Sequence, residues 1–207
     1  MTSAPSTSNG KIFCLGFQKT GTSSLAIALE HLGYRVCGYH QFRDLAADPA
    51  LTTEVIHDRA RSLLGEYDAF KDTPWPVLFR ELDQWCPGSR FILVIRDPNK
   101  WIRSASRDFQ RYPNEIHRWI YGSAFPDGNE KAWIRRYTTH NTEVQEYFAG
   151  RSDDLLTLQL DDGEVNWRSI CNFLGHEVPN RAWPHANKIR EKRWNSFKAK
   201  VARRLGI

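Results

Sequence analysis

Five consecutive apolar residues, Phe91-Ile92-Leu93-Val94-Ile95, run straight into Arg96-Asp97-Pro98. A strand without polar alternation has no face to give to water, so it must be covered on both sides. That requirement points to a sheet sandwiched between helical layers. The rest of the chain offers the helices. Lys11 to Phe17 reads as another buried strand, bounded by glycine and followed by apolar residues at Leu25, Ile27, Ala28, Leu29 and Leu32 with Gly33 as a stop. This is a strand, a turn and a short helix.

The same alternation continues. Strands are expected at Tyr34 to Tyr39, Asp68 to Lys71 and Leu155 to Leu160. Helices are expected at Leu51 to Leu64, Trp75 to Trp85, Asn99 to Arg107, Lys131 to Phe148 and Asn166 to Leu174. Strands alternating with helices predict an α/β three-layer sandwich with a central parallel sheet. Ligands of such sheets bind beyond the carboxyl ends of the strands. The informative residues should therefore follow Phe17, Tyr39, Lys71 and Ile95.

Length and composition narrow the class. With 207 residues, 41% hydrophobic and 13% aromatic, the chain can fill one core and is short for two. No stretch approaches the roughly 20 apolar residues of a membrane span. Residues 1–10 are polar, lack the basic and apolar regions of a signal peptide, and read as a flexible tail. The main domain is expected over 11–186. Cys14, Cys37, Cys86 and Cys171 have no metal-ligand or CxxC spacing, so buried free thiols in a reducing cytoplasm are expected.

The net charge of +5 is concentrated at the end. From residue 187 onward there are eight Lys/Arg against Glu191 alone, which leaves 21 basic and 23 acidic residues before it. A body without its own positive stripe argues against nucleic acid as a partner. Residues 187–207 read as a basic C-terminal helix with Trp194, Phe197, Val201 and Leu205 on one side. Three roles are open for it: a docked terminal helix, a cover over a nucleotide, or a peripheral contact with an anionic membrane.

Gly16-Phe17-Gln18-Lys19-Thr20-Gly21-Thr22-Ser23-Ser24 joins the first strand to its helix. Such a loop presents backbone N–H groups and the positive helix end to an anion. An ATP-binding P-loop would carry lysine where Thr22 stands; here the lysine lies inside the loop, at Lys19. The run resembles the 5′-phosphosulfate loop of sulfotransferases, usually [PR]-K-[ST]-G-[ST]-[ST], with Gln18 in place of the common Pro or Arg.

The resemblance extends to about residue 187 and is closest to a small sulfotransferase group. Tyr39-His40, Asp72-Thr73-Pro74 and Arg96-Asp97-Pro98 match its motifs after the second, third and fourth strands. Tyr137, His140-Asn141 and Val144 match its long helix, and Trp167 to Gly175, Pro179 and Asn187 its C-terminal signature. It implies a P-loop-containing nucleotide hydrolase-like sulfotransferase fold and transfer of a sulfuryl group from 3′-phosphoadenosine 5′-phosphosulfate (PAPS), releasing the bisphosphate PAP. The acceptor would be a small molecule or glycan bearing a hydroxyl or amine.

The resemblance also implies site residues. Gln18, Lys19, Thr20, Gly21, Thr22 and Ser23 would cradle the 5′ anion. Arg96 and Ser104, eight residues apart, would clamp the 3′-phosphate, with an arginine fork and a short hydroxyl donor suited to it. Lys19 and then Lys71 are the candidates to stabilise charge at the transferring group. His40 and Asp72 compete for the role of base, each with an alternative as an orienting group and Asp72 with a further one as a cap on the helix from Trp75. No metal is expected, because a sulfuryl group carries less charge than a phosphoryl group. His140 reads as a hydrogen-bonded core residue; His31, His57, His117, His176 and His185 stand in no motif.

Residues 108–129, with Phe109, Tyr112, Trp119, Tyr121 and Phe125, are either an acceptor lid or a packed surface loop. Trp75 and Phe79 either border the acceptor or form a core face. Two competing functions remain at this stage: a P-loop kinase or NTPase, disfavoured by Thr22, and a non-catalytic nucleotide-binding module.

Overall fold

The computed structural model describes residues 10–109 and 113–186. Five strands, β1 (Ile12–Cys14), β2 (Val36–Cys37), β3 (Ala69–Phe70), β4 (Arg90–Ile95) and β5 (Leu155–Gln159), form one sheet in the order β2-β3-β1-β4-β5. All pairings are parallel. The expected parallel α/β sandwich is what forms.

The two-residue period of the strands sorts the core into two layers. Phe13, Phe70, Phe91 and Leu93 point to one face, which helices α2 (Thr53–Leu63), α3 (Phe79–Trp85), α4 (Pro98–Phe109), α5 (Glu115–Tyr121) and α6 (Glu130–Tyr147) cover. Ile12, Cys14, Ile92 and Val94 point to the other, covered by α1 (Thr22–His31) and α7 (Trp167–Leu174). Phe13 stacks between Phe70 and Phe91, with ring centroids 5.0 and 5.5 Å away. All four cysteines are free and buried, and burial pushes the Cys14 and Cys37 thiols up to about 12.

Several elements differ from the reading of the sequence. The second strand shrinks to two residues, because Tyr39–Phe42 turns into a 3-10 helix closed by Gly38 N–H donating to Gln41 Oε1 at 3.1 Å. The helix expected from Trp75 begins as a 3-10 turn, Trp75–Leu78, and becomes α-helical at Phe79. Pro76 has no N–H to give to a regular helix. Trp75 and Phe79 are buried core residues.

The aromatic segment holds a helix the sequence reading did not anticipate. Asn114 caps α5 by accepting from His117 N–H at 3.1 Å, and Gly122 ends it at φ 78°. Ile116, His117, Ile120 and Tyr121 form its buried face. The C-terminal segment 187–207, Tyr112 and residues 1–9 lie outside the described residues. Among the described residues no helix is long and apolar enough to cross a membrane.

Candidate functional site

The chain places β2 and β3 on one side of β1, then reverses to add β4 on the other. The loops leaving β1 and β4 therefore diverge, and a crevice opens at their carboxyl ends. A cleft of about 500 Å³ lies there, within the range of small-ligand sites. Gln18, Lys19, Gly21, Thr22, Ser23, Arg96 and Ser104 all line it. The motifs read from two distant stretches of sequence thus meet on one cavity.

The loop after β1 is held by bonds that leave its outer face open. Thr20 Oγ1 donates to the Phe17 carbonyl at 2.6 Å, and Trp101 Nε1 donates to the Gln18 carbonyl at 2.8 Å. Thr20 is itself fully buried and serves the loop's shape. Lys19 and Gly21 adopt left-handed backbone, φ 71° and 89°. Glycine suits the second position on steric grounds. At Gly16 the need is closeness: a Cβ would lie 2.7 Å from the Val94 carbonyl oxygen.

Arg96 is positioned twice over. Its backbone N–H donates to the Tyr137 hydroxyl at 2.7 Å, and that hydroxyl donates to the Arg96 carbonyl at 2.9 Å. Its Nη1 donates to the Lys19 carbonyl at 3.1 Å, tying the two loops together. Its Nε is buried and has no partner among the described residues. A buried guanidinium N–H without an acceptor is costly unless a ligand supplies one. With the nearly buried Ser104 on the same cleft, this donor set fits a phosphate.

Lys19 forms an ion pair with Asp108 at the end of α4. Burial opposes ionisation of Asp108, but Lys19 and Arg107 outweigh it and hold the carboxyl below the usual range. Asp108 thus sits ionised on the anion cradle. Any anionic ligand competes with it for Lys19. Asp108→Asn is expected to tighten the binding of an anionic ligand several-fold, read by titration calorimetry; weaker binding would mean that Asp108 organises the loop instead.

The other candidates separate. Asp72, with φ 70°, lines the cleft; its Oδ1 accepts from Thr73 N–H at 2.9 Å and its Oδ2 lies 3.5 Å from Lys71 Nζ. It does not cap the following turn with its side chain. Lys71 is not on the cleft: its stem packs over Gly38, where an added Cβ would meet Lys71 Cε at 3.0 Å. His40 is exposed and is likewise absent from the cleft wall. Its neighbour Tyr39 faces the cavity in its place, its hydroxyl accepting from Asn114 Nδ2 at 2.8 Å. His140 is a core residue, stacked 4.2 Å from Phe17 and bonded to the Leu15 carbonyl at 2.8 Å.

Phe109, Asn114 and His117 complete the lining of the cleft. The capping asparagine, the i, i+4 isoleucines and the closing Gly122 were the signals that α5 existed.

Residues 11–124 and 105–191 match the family model described as Sulfotransferase domain. Ava biosynthesis cluster protein M of Aspergillus versicolor is 26% identical, in an alignment covering 95% of this chain and 92% of that protein. A crystal structure of a sulfotransferase from Alicyclobacillus acidocaldarius superposes with a TM-score of 0.55 at 16% identity, covering 95% of this chain and 94% of that one. Its fold is shared. The glycine loop, the strand-end arginine and the cleft between them all fall inside the matched stretch, and the chain belongs to the sulfotransferase family.

Proposed function

We propose that this protein transfers a sulfuryl group from PAPS to an acceptor hydroxyl or amine by in-line displacement, releasing PAP. The observation that carries the reading is the pair of anion-binding groups on one cleft: the Lys19 loop at the start of α1, and Arg96 with Ser104 across the crevice. An adenosine bisphosphate presents anions at two ends, and this cleft offers two cradles.

The residues divide the work by position. Backbone N–H groups from Lys19 to Ser23 and the positive end of α1 hold the 5′ anion. Arg96 and Ser104 hold the 3′-phosphate. Lys19 stabilises the charge that develops on the departing phosphate oxygen. Asp72 is the carboxylate at the acceptor end, and Lys71 acts through it from behind the wall. His40, exposed outside the cleft, is left without a catalytic part. The acceptor is a small molecule or glycan that packs against Tyr39, Phe109 and Asn114. Four buried free thiols suit a reducing, cytoplasmic setting.

Thermal denaturation with PAP or with ATP and Mg²⁺ tests the donor. A ligand at about 100 times its dissociation constant stabilises the fold by about 2.7 kcal/mol. PAP is expected to raise the melting temperature by several degrees and ATP to do so far less. Stabilisation by ATP with Mg²⁺ alone would overturn the reading in favour of a phosphotransferase.

A further inference from the structure

We propose that His117 takes the proton from the acceptor hydroxyl as the sulfuryl group is transferred, with Asp72 as the countercharge. This rests on the donor reading above. It is carried by the geometry of α5. His117 lines the cleft although only 4% of it is exposed, and its Nδ1 is buried with no partner among the described residues. A ring nitrogen left without a partner inside the protein is costly in a purely structural role, and the side chain reaches the cleft, where a ligand can meet it.

Its placement is fixed from several sides. Asn114 both caps the helix through His117 N–H and donates to the Tyr39 hydroxyl, another lining group of the cavity. Phe109, Trp133 and Tyr121 surround the ring, with centroids 4.8, 5.3 and 6.0 Å away. Phe109 follows directly on Asp108, the partner of Lys19, so His117 stands beside the end of the cleft where the loop lysine is found.

Burial is the main influence on the imidazole and pulls its pKa down to about 4, against the Ala124 carbonyl and the charge of Asp72, which act to raise it. At neutral pH the ring is therefore uncharged and keeps a lone pair. Asp72 is less free to act itself, since its oxygens already engage Thr73 N–H and the Lys71 ammonium. It serves better by stabilising the imidazolium once formed, the division of labour seen wherever a carboxylate backs a histidine.

The step balances. The acceptor oxygen forms its bond to sulfur while its proton passes to a ring nitrogen of His117. The bridging S–O bond breaks, and its electron pair stays on the 5′-phosphate oxygen of PAP beside Lys19. The imidazolium returns its proton to solvent when product leaves.

The test measures sulfate release from sulfur-labelled PAPS with water as acceptor, and transfer to added phenol and 4-nitrophenol, in wild type and His117→Gln. PAP affinity is measured alongside by calorimetry. The variant is expected to lose about 100-fold in rate with water and phenol, the usual scale for a positioned base. The loss should largely disappear with 4-nitrophenol, which is ionised near neutral pH and needs no base. PAP affinity should be nearly unchanged. Wild-type rates in the variant, or equal losses with both phenols, would overturn the assignment; where neither phenol is a substrate, the water rate decides. His117→Phe keeps a ring between Phe109 and Trp133 and takes over the same comparison if the glutamine variant does not fold. Failure of wild type to bind PAP would overturn the donor reading and this one with it, whereas intact binding with unchanged rates removes His117 alone.

Discussion

Arg96→Ala is expected to weaken PAP binding by about 100- to 1000-fold while leaving the protein folded. The scale follows from truncating one partner of a buried charge-assisted contact, about 2–5 kcal/mol. Folding should survive because the backbone of Arg96 is held by the Tyr137 hydroxyl through both its N–H and its carbonyl, bonds that do not involve the side chain. Among the described residues the side chain has one partner, the Lys19 carbonyl, and one buried N–H without any. Its removal should therefore fall mainly on the ligand. Arg96→Lys should recover part of the affinity, since an ammonium keeps the charge but not the planar fork. Ser104→Ala should cost less, about a factor of ten to a hundred, the worth of one hydrogen bond to a charged group. Calorimetric titration with PAP checks all three. Normal PAP affinity in Arg96→Ala would remove the 3′-phosphate assignment.

How far the sequence alone reached depended on whether a signal was local. The FILVI run demanded a strand covered on both faces, and β4 has Phe91 and Leu93 in one layer and Ile92 and Val94 in the other. The loop from Gly16 to Ser24 and the Arg96/Ser104 spacing were likewise local, and they converge on one cleft. What depended on tertiary packing was harder to see. His40 and Tyr39 are neighbours in a motif, but a 3-10 turn sends one to solvent and the other into the cavity. Lys71 and Asp72 divide only in part: their charged ends meet at 3.5 Å, but Asp72 alone of the two lines the cavity.

The region that sequence reading resolved least was 108–129. Its seven-residue helix is too short to establish a period, and Pro113 and Gly122 look like loop punctuation when they in fact bracket the helix. His117 stood outside every motif for that reason. Only the fold puts it on the same cavity as Lys19 and Asp72. The lesson is physical: a strand-end loop announces its role through backbone chemistry, whereas an acceptor wall is assembled from side chains whose neighbours lie far away in sequence.

Replacing Lys19 should separate chemistry from binding. Lys19→Met is expected to lower kcat by about 1000-fold, at the upper end of the effect of removing one group that stabilises transition-state charge. Donor affinity should fall much less, because the loop N–H groups and Arg96 remain. One complication is built into the site. Without Lys19, the Asp108 carboxylate loses its closest partner, keeps only Arg107 and faces the incoming anion less neutralised. Part of any loss in affinity would then be repulsion from Asp108, not the absence of the lysine. The double variant Lys19→Met/Asp108→Asn resolves the two contributions. It should regain PAP affinity toward the wild-type value while turnover stays low, since the asparagine relieves repulsion but cannot stabilise the departing oxygen. Single-turnover kinetics with labelled PAPS, read beside PAP calorimetry, gives both quantities. If the double variant recovered turnover together with affinity, Lys19 would act only by neutralising Asp108, and the charge on the departing phosphate would have to be met by another group.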